Sequence, residues 1–368
     1  MLYSAVLTNS AEYGIIDQRD YFDFDVANSN NISGYYIVQP DDFVYNPRVS
    51  VTAPVGPINK NELGYTGVMS PLYLVFKING INKDYLCHYF KSNKWHKFMR
   101  ISGNCGARFD RLSISDEQFV QMPIPYPINS KEQQTICNYL EKIDKLISTV
   151  SSRLASLKQV KEASLQAMFP QKGETVPKIR FKGFEGEWVI TKAAEIFKTV
   201  NERNFSGLPV LSATQDKGMV TRESIGYNIF HDKANESTYK HIRPGQFVMH
   251  LRSFQGGFAH SAIEGICSPA YTIMEFKDKE VNHDLYWKYV LASKHFIKSL
   301  EMITYGIRDG RTISFDEFKE MVFLVPKVEE QQHIASYFTS LDKQIALQTQ
   351  RLEKLKQIKA ACLDKMFV

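Results

Sequence analysis

The chain contains itself twice. Glu132-Gln133-Gln134 returns as Glu330-Gln331-Gln332, an offset of 198 residues (132 to 330). At the same offset Tyr139 matches Tyr337, Asp144 matches Asp342, Arg153-Leu154 matches Arg351-Leu352, and Met168-Phe169 matches Met366-Phe367. A repeat of this length means two copies of one structural unit, so a single continuous core is excluded. Upstream the match continues with small shifts. Asp42-Phe43-Val44 aligns with Gln246-Phe247-Val248, Ser70-Pro71 with Ser268-Pro269, and Gly106, Arg108 and Arg111 with Gly306, Arg308 and Arg311. Each copy is therefore a variable globular part followed by a near-constant tail. The copies start unequally: nothing in the first corresponds to residues 178–205, so the first domain enters about 28 residues late.

The tails predict long helices. Ile136, Leu140, Ile143, Ile147, Leu154 and Leu157 fall at alternating steps of four and three, with one turn passed over between Ile147 and Leu154 that Val150 fills. Ile334, Phe338, Leu341, Ile345, Leu352 and Leu355 repeat the stripe. That spacing is the seam of a coiled coil. Each helix runs for about 35 residues, roughly 50 Å at 1.5 Å per residue. Neither stripe is stable in water, so an intrachain antiparallel pair is the simplest arrangement. Lys161 and Lys359 lie on the seam; they set register or snorkel from a frayed end, and snorkelling is the favoured expectation. The globular parts mix strand-like runs (Tyr35 to Val38, Leu72 to Ile78, Ala270 to Phe276) with helix-like runs (Lys83 to Phe98, Asp284 to Leu300). The expected fold class is α+β, with residues 1–130 and 171–329 globular and residues 131–170 and 330–368 helical.

No catalytic constellation stands out. Asn46-Pro47-Arg48 is the nearest approach to the Asn/Asp-Pro-Pro-aromatic loop of an adenine methyltransferase, and it lacks the second proline. No glycine-rich cofactor loop and no phosphate loop occurs. Glu275-Phe276-Lys277 and Glu317-Phe318-Lys319 imitate the end of a nuclease site without an upstream acid. The nine histidines are dispersed and the five cysteines scattered, so no metal site is expected and reduced thiols in a cytoplasm are. No apolar run reaches the roughly 20 residues of a membrane span. The net charge of +5 permits a nucleic-acid partner without requiring one.

The duplicated Pro-…-Glu-Gln-Gln helices ending in Met-Phe, the Phe181-to-Trp188 opening, Ser212-Ala213-Thr214 with Gly218, and the Asp42-Phe43-Val44 turn together resemble the specificity subunits of type I restriction-modification systems. The resemblance spans essentially the whole chain. It implies two target recognition domains that read the halves of a bipartite double-stranded DNA target, the first of them N-terminally shortened. It implies helices that act as a ruler and dock two methylation subunits, and a restriction subunit that can join. S-adenosylmethionine, ATP and Mg would then belong to those partners and no cofactor to this chain. A truncated or silent allele and a coiled-coil scaffold that binds proteins are the alternatives.

Arginines at equivalent places in both copies are the candidate DNA contacts: Arg48 with Arg252, Arg108 with Arg308, Arg111 with Arg311. Shared by domains that read different halves, they suit phosphates better than bases. Salt bridges to Asp116 or Asp316 are the competing reading. Base choice is expected where the copies differ: Asn46 against His250, Lys97 in Lys94-Trp95-His96-Lys97 against Lys294-His295-Phe296-Ile297, and Gln255 beside Gly256-Gly257.

Overall fold

A computed structural model describes residues 5–21, 34–105, 110–171, 173–214, 217–225, 233–249, 257–303 and 314–367. The chain forms two compact units, one of Met1–Arg153 with Gln348–Val368, the other of Leu154–Leu347. The sequence divides into four consecutive segments; the units instead divide inside each long helix.

In the first unit β1 (Leu7–Ser10) and β2 (Gly14–Asp17) form a hairpin, followed by the short α1 (Gln18–Tyr21). Then come β3 (Tyr36–Val38), β4 (Phe43–Tyr45), β5 (Ile58–Lys60), β6 (Gly67–Met69) and β7 (Leu74–Phe76). They are followed by α2 (Lys83–Phe90), α3 (His96–Ser102), α4 (Asp116–Phe119) and the long α5 (Ser130–Ala167). β3 pairs with β6, a parallel bridge from Val6 to Val68 links that pair to the hairpin, and a second sheet has the order β5-β4-β7. The hairpin turns at Gly14, whose φ of 70° is one that side chains disfavour.

The second unit opens with β8 (Val189–Lys192), α6 (Ala193–Ile196) and β9 (Phe197–Val200). β10 (Val210–Thr214) and β11 (Gly218–Thr221) form the matching hairpin, with Gly218 at φ 73°. Next are β12 (Lys240–Ile242), β13 (Phe247–Met249), β14 (Ala259–His260), β15 (Gly265–Cys267) and β16 (Thr272–Phe276). α7 (Asp284–Val290), α8 (Lys294–Ile303), α9 (Phe315–Phe318), β17 (Val322–Val325) and the long α10 (Val328–Lys365) complete it. Its sheets run β11-β10-β15-β12, β14-β13-β16-β9 and β17-β8. The first two repeat the first unit's order; β8 and β9 have no counterpart among the described residues there. The fold is the expected mixed α and β one, built twice.

Two expected helices are each broken. Lys83 to Phe98 and Asp284 to Leu300 both divide after two turns, because serine and tryptophan close the first helix: Ser92 Oγ donates to the Tyr89 carbonyl (2.6 Å) and Trp95 Nε1 to that of Phe90 (3.1 Å). In the second copy Ser293 Oγ accepts from Phe296 N to start α8.

Each long helix contributes to both units, and inside each unit two helix halves run antiparallel. In the first, Lys359 Nζ donates to Asp144 (2.5 Å) while Cys137 and Leu140 share a core with Leu363, Met366 and Phe367. In the second, Lys161 Nζ donates to Asp342 (2.5 Å) and Ser164 Oγ lies 2.9 Å from Tyr337 Oη. Both ion pairs are one pair repeated at the 198-residue offset. Lys161 and Lys359 therefore set register, which corrects the expectation that they snorkel. All twelve seam residues are buried or half-buried. The Met-Phe motif is a plug: Phe367 packs on Tyr85 and Tyr89, and Phe169 on Tyr286 and Phe338.

The Glu-Gln-Gln motif ties each helix to its domain. Gln133 Oε1 accepts from the Asn82 N–H (2.9 Å) at the start of α2, and Nε2 donates to the Pro127 carbonyl (2.7 Å). Gln331 does the same with His283 N (2.9 Å) and Pro326 O (3.0 Å). Glu330 is buried in a two-bonded ion pair with Arg180, both bonds 2.7 Å, whereas Glu132 is exposed. Arg180 belongs to residues 178–205, which the first copy lacks.

Two outcomes follow. Arg180→Ala leaves a buried carboxylate without its cation and should destabilise the second unit by about 3–5 kcal/mol, while Glu132→Ala should stay within about 0.5 kcal/mol; denaturant midpoints of the full chain compare them. His88, on α2, is pushed down to about 4 by burial. The unfolded chain takes up that proton near 6.5. Stability of the first unit is thus complete above pH 6.5 and falls between 6.5 and 4, by on the order of 3 kcal/mol. His88→Tyr, copying Tyr289, should flatten thermal melts across that window.

Candidate nucleic-acid interface

In the first domain three stretches of backbone meet. Residues 46–50 leave β4, and residues 103–105 and 110–113 are the two arms of a loop that follows α3. The Asn104 and Ser113 backbones bridge the arms, and Val49 N donates to the Asp110 carbonyl while Leu112 N donates to that of Pro47. This ladder puts Arg48 and Arg111 opposite one another in an antiparallel bridge. Adding a Cβ at Gly103 would meet the Met99 carbonyl at 2.6 Å, so the arm can leave α3 this closely only as glycine.

Arg48 is exposed and Arg111 half-exposed. Neither forms an ion pair among the described residues, and Arg111 does not meet Asp116. Asp116 instead sits in the first turn of α4, where the helix dipole favours an acid, behind the Ser115 cap. Asp316 pairs with Lys319 (2.7 Å). Two arginines set opposite one another by a backbone bridge, without an ion pair among the described residues, make this a candidate anion site.

Asn46 is tied up in the fold. Its Oδ1 accepts from Arg48 N (2.9 Å) and its Nδ2 donates to the Asn9 carbonyl (2.8 Å). The side chain expected to choose a base shapes the turn that presents Arg48. Lys97 is exposed on α3 and Arg100 stands one turn further. The alignment of this helix also changes. Trp95 and Met99 are buried, as are Phe296 and Leu300, so the copies match at an offset of 201 and Lys97 corresponds to Lys298, also exposed. Lys97 is thus a shared cation rather than a point of difference. Arg100 was missed; its signal was its place three residues beyond Lys97 on a helix anchored by tryptophan. His250, Arg252, Gln255, Arg108, Arg308 and Arg311 lie outside the described residues.

The groups that imitate catalysis have structural partners. His260 Nε2 lies 2.8 Å from Asp284, and that pairing holds the Asp284 carboxyl below its usual range. Lys60 and Asp84 (2.6 Å) occupy the same place in the first domain, between β5 and α2. A lysine substitutes for the histidine, so the contact is a strap between strand and helix. Glu275 pairs with Lys198 (3.2 Å) and accepts from Gln246 (3.1 Å). Burial pushes the Cys87 and Cys267 thiols up to about 12, so neither is a thiolate at neutral pH. Among the described residues no helix is long and apolar enough to cross a membrane.

Comparison with known proteins agrees with this architecture. Residues 12–159 and 185–357 match the model of the type I restriction modification DNA specificity domain. The type I restriction enzyme MjaVIII specificity subunit of Methanocaldococcus jannaschii is 21% identical over 320 residues, covering 82% of this chain and 74% of that one. A chain solved in work on complex assembly and conformational transition of the type I R-M system superposes with a TM-score of 0.51 at 15% identity, covering 99% of this chain and 92% of the other. The type I restriction-modification S subunit from M. genitalium gives 0.54 at 13% identity, covering 94% and 87%. The family match falls once on each copy and spans most of the chain, so this protein belongs to the type I restriction-modification DNA specificity family.

Proposed function

We propose that the chain is the sequence reader of a type I restriction-modification complex, each globular domain reading one half of a bipartite duplex target. The observation that carries this reading is the backbone bridge of Arg48, exposed, and Arg111, half-exposed, neither of which forms an ion pair among the described residues. Paired guanidinium groups suit the phosphate backbone, and exposed Lys97 and Arg100 add cations on the adjoining helix. Two domains carried on one chain add their discrimination, each mismatch costing roughly 1–3 kcal/mol. The near-constant helix surfaces would dock two methylation subunits, and a restriction subunit would join them. S-adenosylmethionine, ATP and Mg would serve those partners, in the cytoplasm. This chain supplies recognition and no chemistry.

The test is binding of the complex with its methylation subunits to duplex DNA. Affinity should fall steeply with salt, log K against log salt losing about 0.9 per phosphate neutralised. Arg48→Ala with Arg111→Ala should weaken every sequence about equally and make that slope shallower by about 2. A loss confined to one base pair would reassign the pair to base reading, and no preference for any bipartite site over random DNA would refute the function.

A further inference from the structure

Ser212-Ala213-Thr214 with Gly218 builds the β10–β11 hairpin, whose counterpart in the first domain is the β1–β2 hairpin. Ser10 pairs with Gly14 as Thr214 pairs with Gly218, so Tyr13 corresponds to Lys217. The two turns share one frame. Ser10 Oγ accepts from Tyr13 N (3.3 Å) and Thr214 Oγ1 from Lys217 N (3.2 Å), and the glycine that follows has a φ of 70° or 73°. What the frame presents is different: Tyr13, 62% exposed, in one domain and Lys217, also exposed, in the other.

The first hairpin is clamped to the turn that presents Arg48. Asn9 is 1% exposed, and its Nδ2 donates to the Val44 carbonyl on β4 (2.7 Å). Asn59, on β5, donates to Asn9 Oδ1 (2.7 Å) and to the Ser10 carbonyl (3.1 Å). Asn46 donates to the Asn9 carbonyl (2.8 Å) and accepts from Arg48 N (2.9 Å), so one amide joins the hairpin to the arginine turn. A polar network of this kind is satisfied in one geometry and fixes position. Tyr21, at the end of α1, meets the Tyr13 ring edge to face at 6.4 Å between centroids. The second hairpin is seated on β14 instead: Met219 bridges to Ser261, and a Cβ at Gly218 would meet the His260 carbonyl at 2.4 Å.

We infer that the two hairpin tips are base readers that enter the major groove, Tyr13 setting base choice in one half-site and Lys217 in the other. The inference rests on the reading of this chain as a DNA reader and adds the residues that tell the halves apart. Arginines common to both copies suit the common phosphate backbone, whereas a side chain that differs on a common frame suits bases. An acid precedes each tip residue, Glu12 and Asp216. The Tyr13 hydroxyl donates to the Glu12 carboxylate. Phosphates repel an acid, so the tip belongs against base edges, where a carboxylate accepts from a cytosine amine. The major groove, about 12 Å wide, admits a two-stranded ribbon such as either hairpin. Lys217 donates to guanine O6 or N7, while Tyr13 brings no cation and lays its ring against a thymine methyl. Guanine is therefore favoured at the base met by Lys217 and not at the base met by Tyr13.

The experiment selects bound duplexes from a randomised library with the full chain in complex with its methylation subunits, then measures affinity for the selected sites. Tyr13→Ala should flatten the preference at one or two base pairs of a single half-site by about tenfold, with the other half-site and the salt dependence unchanged. Tyr13→Lys should move that position toward guanine, and Lys217→Tyr should move a position of the other half-site away from it. A new preference is an outcome that misfolding does not produce. If the unaltered complex selects a bipartite site and the variants select the same one, or if each variant weakens all sequences equally, the inference fails and the DNA-reading function stands. If the unaltered complex selects no site, both fall.

Discussion

The ion pair between an aspartate on one long helix and a lysine on the other is the contact on which the rest depends. It occurs twice, as Asp144 with Lys359 and as Lys161 with Asp342, because the two residues recur at one offset. A polar pair on an apolar seam adds little stability, but it is satisfied in one register only. With that register set, Met168-Phe169 reaches the second domain's core and Met366-Phe367 the first's. Each domain is therefore completed by the tail of the other copy. The buried glutamines Gln133 and Gln331 then fasten each helix start to the domain before it.

The repeat, the seam and the fold class were legible because they are periodic or duplicated within the chain. Partners were legible only where periodicity reached them. The place of Lys161 on the seam was readable; its pairing with Asp342 was not, since only the register of two antiparallel helices brings residues 181 apart together. The repetition of Glu-Gln-Gln was visible, but its cause lies in the backbone of Asn82 and His283, about fifty residues upstream. Lys97 was matched to the wrong partner because the offset of 201 that holds through α2 and α3 is invisible until the buried anchors Trp95 and Phe296 are superposed.

The candidate interface shows the same limit. Arg48 and Arg111 were each picked for recurring in both copies, but their adjacency comes from a backbone ladder between segments 63 residues apart. Asn46 looked like a base reader because the copies differ there; its amide is consumed by the turn that presents Arg48. The two copies differ in their sheets: β9 pairs with β16 in the second, whereas β7 pairs only with β4 among the described residues of the first.

The central claim is that the two domains read one duplex together. It is tested most directly by measuring affinity of the complex with its methylation subunits for duplexes in which the spacer between the half-sites is lengthened or shortened one base pair at a time. A single sharp optimum is expected, because both half-sites must be engaged by one chain at once. Affinity indifferent to spacer length would contradict the account.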